Sequence, residues 1–450
     1  MVTQPNILLL MVDAMRADRT WGSRRSARTP FLDGLVKRST VFTRAFSTAS
    51  ITTVCTTSLL TGCYPFVHGI HSLLSNRLRT DLPTLPELLK AGGYHTWAEM
   101  TGPLEAMRGL DRGFDRYEYR PYDHWLDTEW GDGFIRRLRD GADFPAPWFG
   151  LLHLWELHNP RRVTPGYDHR SAGETLYDRA VSSLDAQLAR LFEALPENTI
   201  VVLTGDHGEY VSASQSGEII ARLKGPWKWI KEHIPGARRL RRFTPAAVKG
   251  MERLSSNNKD FHFGWLGHGY HVYDYLTHVP LLMYGPGLFP EGHKIDELVS
   301  HVDVLPTLLS ALGLEGAPAT LNGIDLMPLV RGEISDLGDR ALYLEALIGM
   351  HERSRAGPEY WLGGIRTWRY KYARGLYNPE LPEELYDLEA DPAEEHNVID
   401  RLPQVAAEMR ARFQEMTAGY SDEPPEEGQE YTPEELALIE QRLQDLGYIE

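Results

Sequence analysis

Two runs of unbroken apolar residues frame the amino-terminal half of the chain. The first, NILLLMVD at 6–13, ends in Asp13, and the second, NTIVVLTGD at 198–206, ends in Asp206. Apolar runs of this length without alternation predict strands buried on both faces, as in parallel sheets. Both put an aspartate just past a strand end, at the carboxyl edge where open α/β sheets build their sites. Between them, PTLPELLKAGGYHTWAEM predicts a helix, a Gly-Gly turn and a strand, and WFGLLHLWELH predicts another strand. GETLYDRAVSSLDAQLARLFEAL repeats Leu, Val and Ala at helical spacing. Alternating strands and helices point to an α/β fold, a sheet covered on both faces.

The pattern breaks at 211–262, which is rich in Lys, Arg, Trp and Gly, as in KGPWKWIKEH and ARRLRRFTPAAVKG. It is too long for a connector and reads either as an insertion that lids a site or as a solvated excursion. Its positive charge would suit an anionic substrate. THVPLLMYGPG then predicts a strand and turn, and HVDVLPTLLSALG a helix. From about 340 the character changes. ALYLEALIG, YWLGGIRTWRYKYARG and EELYDLEADPAEEHNVID suggest short antiparallel strands and a tight acidic turn, with helices after them. The stretch 422–433 is acidic and Pro-rich, and reads as loose. The last helix, from TPEELALIEQRL, carries a capping pattern in Thr432, Pro433 and Glu435. The organisation expected is a catalytic domain over 1–335 and a small α+β subdomain over 336–450.

A chain of 450 residues exceeds what one core usually supports, which agrees with two domains. The net charge of −16 argues against nucleic acid and against an anionic membrane surface. The expected partner is a small anionic ester; a homo-oligomer is left open. Two cysteines, Cys55 and Cys63, do not make a disulfide framework. The first residues read as neither a signal peptide nor a membrane span, so the expected location is the cytoplasm.

Asp13, Asp206 and His207 are the strongest constellation. Two carboxylates at strand ends beside an imidazole suit a divalent cation, and the glycines of TGDHGE allow a tight loop. The bland account is a helix cap at Asp13 and a packed histidine at 207. FSTASITTVCTTSLLTGCYPFVHG is a hydroxyl-rich loop leading into a short helix, TSLLTG, stopped by Gly62. Thr52, Thr53, Thr56 and Ser58 are each a candidate nucleophile or simply a cap. A nucleophile at a helix start gains from the free N–H groups there. His153, His158, His268 and His271 are further candidates, of which His158 and His268 could donate to a non-bridging ester oxygen or protonate a leaving group. His278 reads as structural.

Taken in order, these segments resemble the sulfatase branch of the alkaline-phosphatase-like superfamily over nearly the whole chain. NILLLMVDAMRAD resembles that family's opening strand and first metal aspartate, SLLTGCYPFVHG the helix after its nucleophile, and LTGDHGE its second metal segment. ELHNP resembles a degraded Asp-Pro-His-x-Pro segment. GHGYHVYDYLTHVPLLMYGPG resembles the late His-Gly run, and IRTWRYKYA with ELYDLEADPAEEHNVI the small carboxyl-terminal sheet. The resemblance implies a central mixed β-sheet sandwiched by helices plus a small antiparallel-sheet subdomain. It implies metal binding by Asp13, Thr52, Asp206 and His207, and contact of His158, His268 and His271 with substrate.

Three departures shift the chemistry. Counting back from Leu-Leu-Thr-Gly, the formylglycine position holds Thr52, with Val54 and Thr56 where the family has Pro and Arg. Formylglycine is therefore not expected, unless a local gap restored Cys55. Ala14 replaces a second aspartate, which favours manganese or zinc over calcium. AEMTGPLEAM offers no cation where the family has Gly-Lys-Trp-His. The expected function is a metal-dependent hydrolase of phosphate mono- or diesters with Thr52 as nucleophile. Sulfuric ester hydrolysis, phosphotransfer, a mutase or an inactive binding protein are the alternatives. One metal is favoured over two, because no Asp-x-x-x-His pair stands near 153–158.

Overall fold

A computed structural model describes residues 4–73, 77–212, 267–285, 287–347, 361–420, 423 and 431–446. The stretch 211–262, read as either a lid or a solvated excursion, lies outside the described residues apart from 211–212, as does most of the loose stretch 422–433.

The central sheet has eight strands in the order β4-β3-β5-β1-β6-β7-β2-β8. They are β1 (Asn6–Val12), β2 (Thr40–Phe46), β3 (His95–Met100), β4 (Arg116–Tyr119), β5 (Trp148–Leu154), β6 (Thr199–Gly205), β7 (His278–Tyr284) and β8 (His293–Ser300). Only β7 runs antiparallel to its neighbours, so the sheet is mixed. The runs around Asp13 and Asp206 form adjacent central strands, β1 and β6. Their side chains alternate between two cores. Ile7, Leu9, Met11, Ile200 and Val202 face one, with the helices Thr52–Thr61, Leu85–Ala91 and Val304–Ala311. Leu8, Leu10, Val12, Val201 and Leu203 face the other, against the helix Leu176–Phe192. A strand covered on both faces has no polar side, which is why these runs lack alternation.

The sequence began a short helix at Thr57. The structure begins it at Thr52. Threonine and valine are poor helix formers, yet all ten residues of Thr52–Thr61 are buried. The hydroxyls of Thr56, Thr57 and Thr61 each donate to the carbonyl four residues back, at 2.7–2.8 Å. Burial and back-bonding override propensity here. Gly62, with φ at 66°, ends the helix in the left-handed conformation.

A separate antiparallel sheet, order β12-β11-β10-β9, holds β9 (Leu342–Leu347), β10 (Trp361–Arg366), β11 (Tyr370–Gly375) and β12 (Glu384–Asp387). The helix Pro403–Met416 covers it through Ala406, Met409 and Phe413. The last helix, Pro433–Leu446, has the expected box: Glu435 N donates to Thr432 Oγ1 and Thr432 N to Glu435 Oε2. β9 reaches back to two loops of the large sheet. Glu345 N donates to Thr48 O at 2.9 Å, and Leu347 N to Gly269 O at 3.0 Å. No described helix is long and apolar enough to cross a membrane.

The wholly buried Lys371 ties β11 to the segment after Gly269. Its Nζ donates to Val272 O at 2.8 Å and Asp274 at 2.5 Å, and stands 2.8 Å from Glu394. Removing one partner of a buried charge cluster leaves the others uncompensated. Lys371→Ala should cost about 3–5 kcal/mol of stability, measured as a lower urea midpoint. A midpoint within error of wild type would show that the cluster is not a stabilising tie.

Candidate metal and nucleophile site

Strand register builds the centre. β1 pairs in parallel with β6 up to Val12↔Gly205, and with β5 up to Val12↔Leu154. The ladder continues one step, with Asp13 N donating to Leu154 O at 2.8 Å and Asp206 N to Val12 O at 3.2 Å. Asp13 and Asp206 are therefore the next residues on neighbouring strands, which lie about 4.8 Å apart. With His207 they form a cluster whose potential ligand atoms all lie within 4.8 Å of one another.

All three residues are fully buried. Asp206 Oδ1 accepts two backbone N–H groups, from Ala14 at 2.9 Å and His207 at 2.7 Å. Its Oδ2 and Asp13 Oδ1 have no hydrogen-bond partner among the described residues. His207 Nδ1 donates to Gly208 O at 2.8 Å, which leaves the Nε2 lone pair facing inward. Burial lowers the His207 pKa and keeps the ring neutral. Burial first, then the charges of Asp206 and Glu209, push the Asp13 carboxyl well above its usual range. Two ionised carboxylates at this spacing repel by roughly 3–4 kcal/mol at an effective dielectric near 20. A divalent cation would remove that cost and satisfy the orphaned oxygens, so the residues present fit a metal ion.

Thr52 Oγ1 lies against this cluster, 3.2 Å from Asp13 Oδ2 and 3.1 Å from His207 Nε2. The hydroxyl stands at the first turn of a ten-residue helix, where backbone N–H groups lack intrahelical acceptors. The other hydroxyls weighed with it are spent elsewhere: Thr53 donates to Pro103 O at 2.7 Å, Thr56 to Thr52 O, and Ser58 bonds His68 and Thr48. Cys55 donates its thiol to Ala49 O at 3.0 Å among Ile51 and Val54, and burial pushes its pKa up. A thiol in that state is a poor nucleophile.

The histidines divide into groups. His268 packs on His207 with ring centroids 4.3 Å apart, and His158 packs edge-on to His268 at 5.3 Å. Trp155 stacks under His158 at 4.0 Å. Asp13, Thr52, Asp206, His207, His268 and His158 thus form one contiguous group. The His271 ring is not in ring contact with this group, although its carbonyl accepts from Ser50 Oγ at 2.8 Å. It stacks on Tyr273 at 3.6 Å and sets Nε2 3.0 Å from Glu384 of β12. His278 bonds Thr43 O and stacks on Phe46, as a structural residue would.

The fold sets three more residues beside this group: His153, already a candidate, and Glu209 and Arg161, which were not. The β1–β5 register pairs Met11 with His153, whose Nε2 is 3.8 Å from Asp13 Oδ2; Nδ1 bonds Thr101 O and burial holds its pKa near 4. Glu209 Oε2 is 3.6 Å from His268 Nδ1 and 3.8 Å from the buried Arg161 guanidinium. Glu209 was visible within TGDHGE, and Arg161 three residues after His158. Nothing local distinguished either from a surface charge.

Comparison with known proteins identifies the family. The sulfatase family model matches residues 5–314, and a model of the N-sulphoglucosamine sulphohydrolase C-terminal region matches 262–419. The chain belongs to the sulfatase family. An ulvan-active sulfatase of Formosa agariphila is 25% identical, with 94% of this chain and 82% of the relative aligned. A Δ4,5-hexuronate-2-O-sulfatase of Bacteroides thetaiotaomicron is 24% identical over 91% of this chain and 88% of its own. The phosphonate monoester hydrolase of Agrobacterium radiobacter superposes with a TM-score of 0.68 at 20% identity, covering 92% of this chain and 96% of the other. The fold is the alkaline-phosphatase-like sulfatase fold, and the comparisons support an ester hydrolase.

The buried carboxylate pair has a thermodynamic signature. Asp206→Asn keeps an oxygen for the two N–H donors but removes one charge. Its metal-free form should melt above metal-free wild type. At free Mn(II) a hundredfold above Kd, wild type should gain about 2.7 kcal/mol, while the variant gains little. Thermal melts with and without Mn(II) read both effects, and equal Mn(II) responses would sink the cation assignment.

Proposed function

We propose that this chain is a metal-dependent hydrolase of phosphate esters, mono- or diesters, in which Thr52 is the nucleophile. One observation carries the reading: Thr52 Oγ1 touches both Asp13 and His207 at the start of a buried helix. Asp13, Asp206, His207 and Thr52 would hold the ion, with two carboxylate groups, one imidazole and one hydroxyl as donors. That oxygen- and nitrogen-rich set favours manganese or zinc over calcium. When bound, the ion lowers the hydroxyl's pKa and offsets negative charge on the group being transferred.

The chain's own residues account for the remaining steps. Thr52 Oγ1 forms a bond to phosphorus as the bond to the leaving oxygen breaks. The hydroxyl proton has acceptors within 3.2 Å. N–H groups of the helix's first turn favour an anion beside Thr52. His268 and His158 serve to steady the non-bridging oxygens or to protonate the leaving oxygen. Glu209, 3.6 Å from His268 Nδ1, orients that ring. Water then cleaves the Thr52 ester and regenerates the hydroxyl; an alcohol in its place would make the enzyme a phosphotransferase. The acid and apolar walls exclude bulk water around a fully buried Asp13–Asp206 pair.

Phosphorus is preferred because the elements of sulfate chemistry are missing from the sequence. Thr52 cannot be oxidised to formylglycine, and 98–107 offers no lysine. Sulfuric ester hydrolysis is the second reading, favoured by the sulfatases among the relatives.

Metal-stripped enzyme should be assayed on aryl phosphate monoesters, phosphodiesters, phosphonate monoesters and aryl sulfates, with Mn(II), Zn(II) or Ca(II) added back. Phosphorus esters with Mn(II) or Zn(II) should turn over fastest. A sulfate preference would reverse the substrate assignment. Thr52→Ala should lower kcat by about 10³-fold or more, while Cys55→Ala stays near wild type. The opposite result for that pair would make Cys55 the nucleophile.

A further inference from the structure

The turn that follows Asp13 is strained, and one side chain holds it. Ala14 has φ at 57°, in the left-handed region that residues with a Cβ avoid. No glycine relieves the strain there. Ala14 N is also one of the two donors that fix Asp206 Oδ1, at 2.9 Å. The strained residue thus determines which oxygen of Asp206 remains open.

The side chain that holds the turn is Tyr177, on the helix Leu176–Phe192. Its hydroxyl donates to Ala14 O at 2.7 Å and accepts from Arg16 N at 2.9 Å. A single oxygen therefore straps both ends of the 14–16 turn. Tyr177 is buried, so neither backbone group has water as an alternative. The turn is pressed from the other side by β6, where a Cβ on Gly205 would come within 2.4 Å of Met15 O. Arg16 continues the tie, its Nη1 donating to Glu209 O at 2.9 Å.

We infer that Tyr177 is a positioning residue for the cation centre: by strapping the left-handed turn at Ala14–Arg16, its hydroxyl keeps Asp13 and Asp206 in a ligating geometry. Tyr177 acts through the backbone and does not touch the ion or the substrate. The inference rests on the reading of Asp13, Asp206 and His207 as a cation site. It adds a residue that lies 163 positions from the turn it controls.

The test is Mn(II) titration of the metal-stripped full-length chain by calorimetry, with thermal melts alongside. Tyr177→Phe removes the strap and keeps the ring; Mn(II) binding should weaken about tenfold, as for other residues that orient ligands. Adding Ala14→Gly should recover much of the loss, because glycine holds positive φ without strain. Leu184→Ala, in the same helix and core, should lower the melting temperature yet leave Mn(II) affinity unchanged. Wild-type affinity in Tyr177→Phe overturns the strap. So does an equal loss in Leu184→Ala, or no recovery in the double variant. A wild-type chain that takes up no Mn(II) overturns the cation reading itself, a result separable from failure of the strap alone.

Discussion

The register of two parallel strands is the constraint on which the rest depends. β1 and β6 run side by side, and each ends one residue before an aspartate. The ladder brings both carboxylates to the same level of the sheet edge, with no solvent around them. In that setting like charges are costly and orphaned oxygens more so. An isolated carboxylate would be accommodated by taking a proton. A pair beside a neutral imidazole, with lone pairs converging on a common space, is arranged for a cation instead. The surroundings answer to this arrangement: backbone N–H groups saturate one oxygen of Asp206, and Gly208 O fixes the His207 tautomer.

Precision at the centre comes from elements that are not part of the central strands. The helix carrying Thr52 lies over the core that Met11 and Val202 share. The segment before it is tied to the small sheet through Thr48 and Glu345, and the loop carrying His268 is tied through Gly269 and Leu347. One edge strand, β9, therefore fixes the approach of both the Thr52 helix and the histidine loop. The buried His71–Glu345 pair, 2.6 Å apart, and the Tyr343 hydroxyl on Glu345 keep that strand from shifting. A small carboxyl-terminal sheet that looks peripheral in sequence thus takes part in positioning the site.

The proposed chemistry would use a threonine within this frame. Thr52, at the position that the resemblance gives to formylglycine, sets its hydroxyl against Asp13 and His207. A hydroxyl is smaller and less acidic than a thiol-derived aldehyde hydrate, so it leans more on its neighbours for activation. The contacts of Thr52 with Asp13 and His207 are consistent with that need. The buried Arg161 guanidinium is balanced by Glu209 beside His268.

The sequence alone determined the two central strands, because unbroken apolar runs record burial on both faces in adjacent letters. It also determined the aspartates at their ends, the capped last helix and the change of character near 340, all of which are local signals. The resemblance singled out Thr52 among the hydroxyls, and tertiary structure decided what surrounds it. TTVC looked like loop until burial and back-bonded hydroxyls made it helix, and Thr52 meets His207 across 155 positions. His153 was one candidate histidine among several, and Tyr177 reads as a core residue in any window of the chain. They acquired their places only when strand register set His153 beside Asp13 and helix packing carried the Tyr177 hydroxyl to Ala14. Hydrophobic periodicity reports what a segment buries, whereas a site is made by what different segments bring to one point, and no local pattern encodes that meeting.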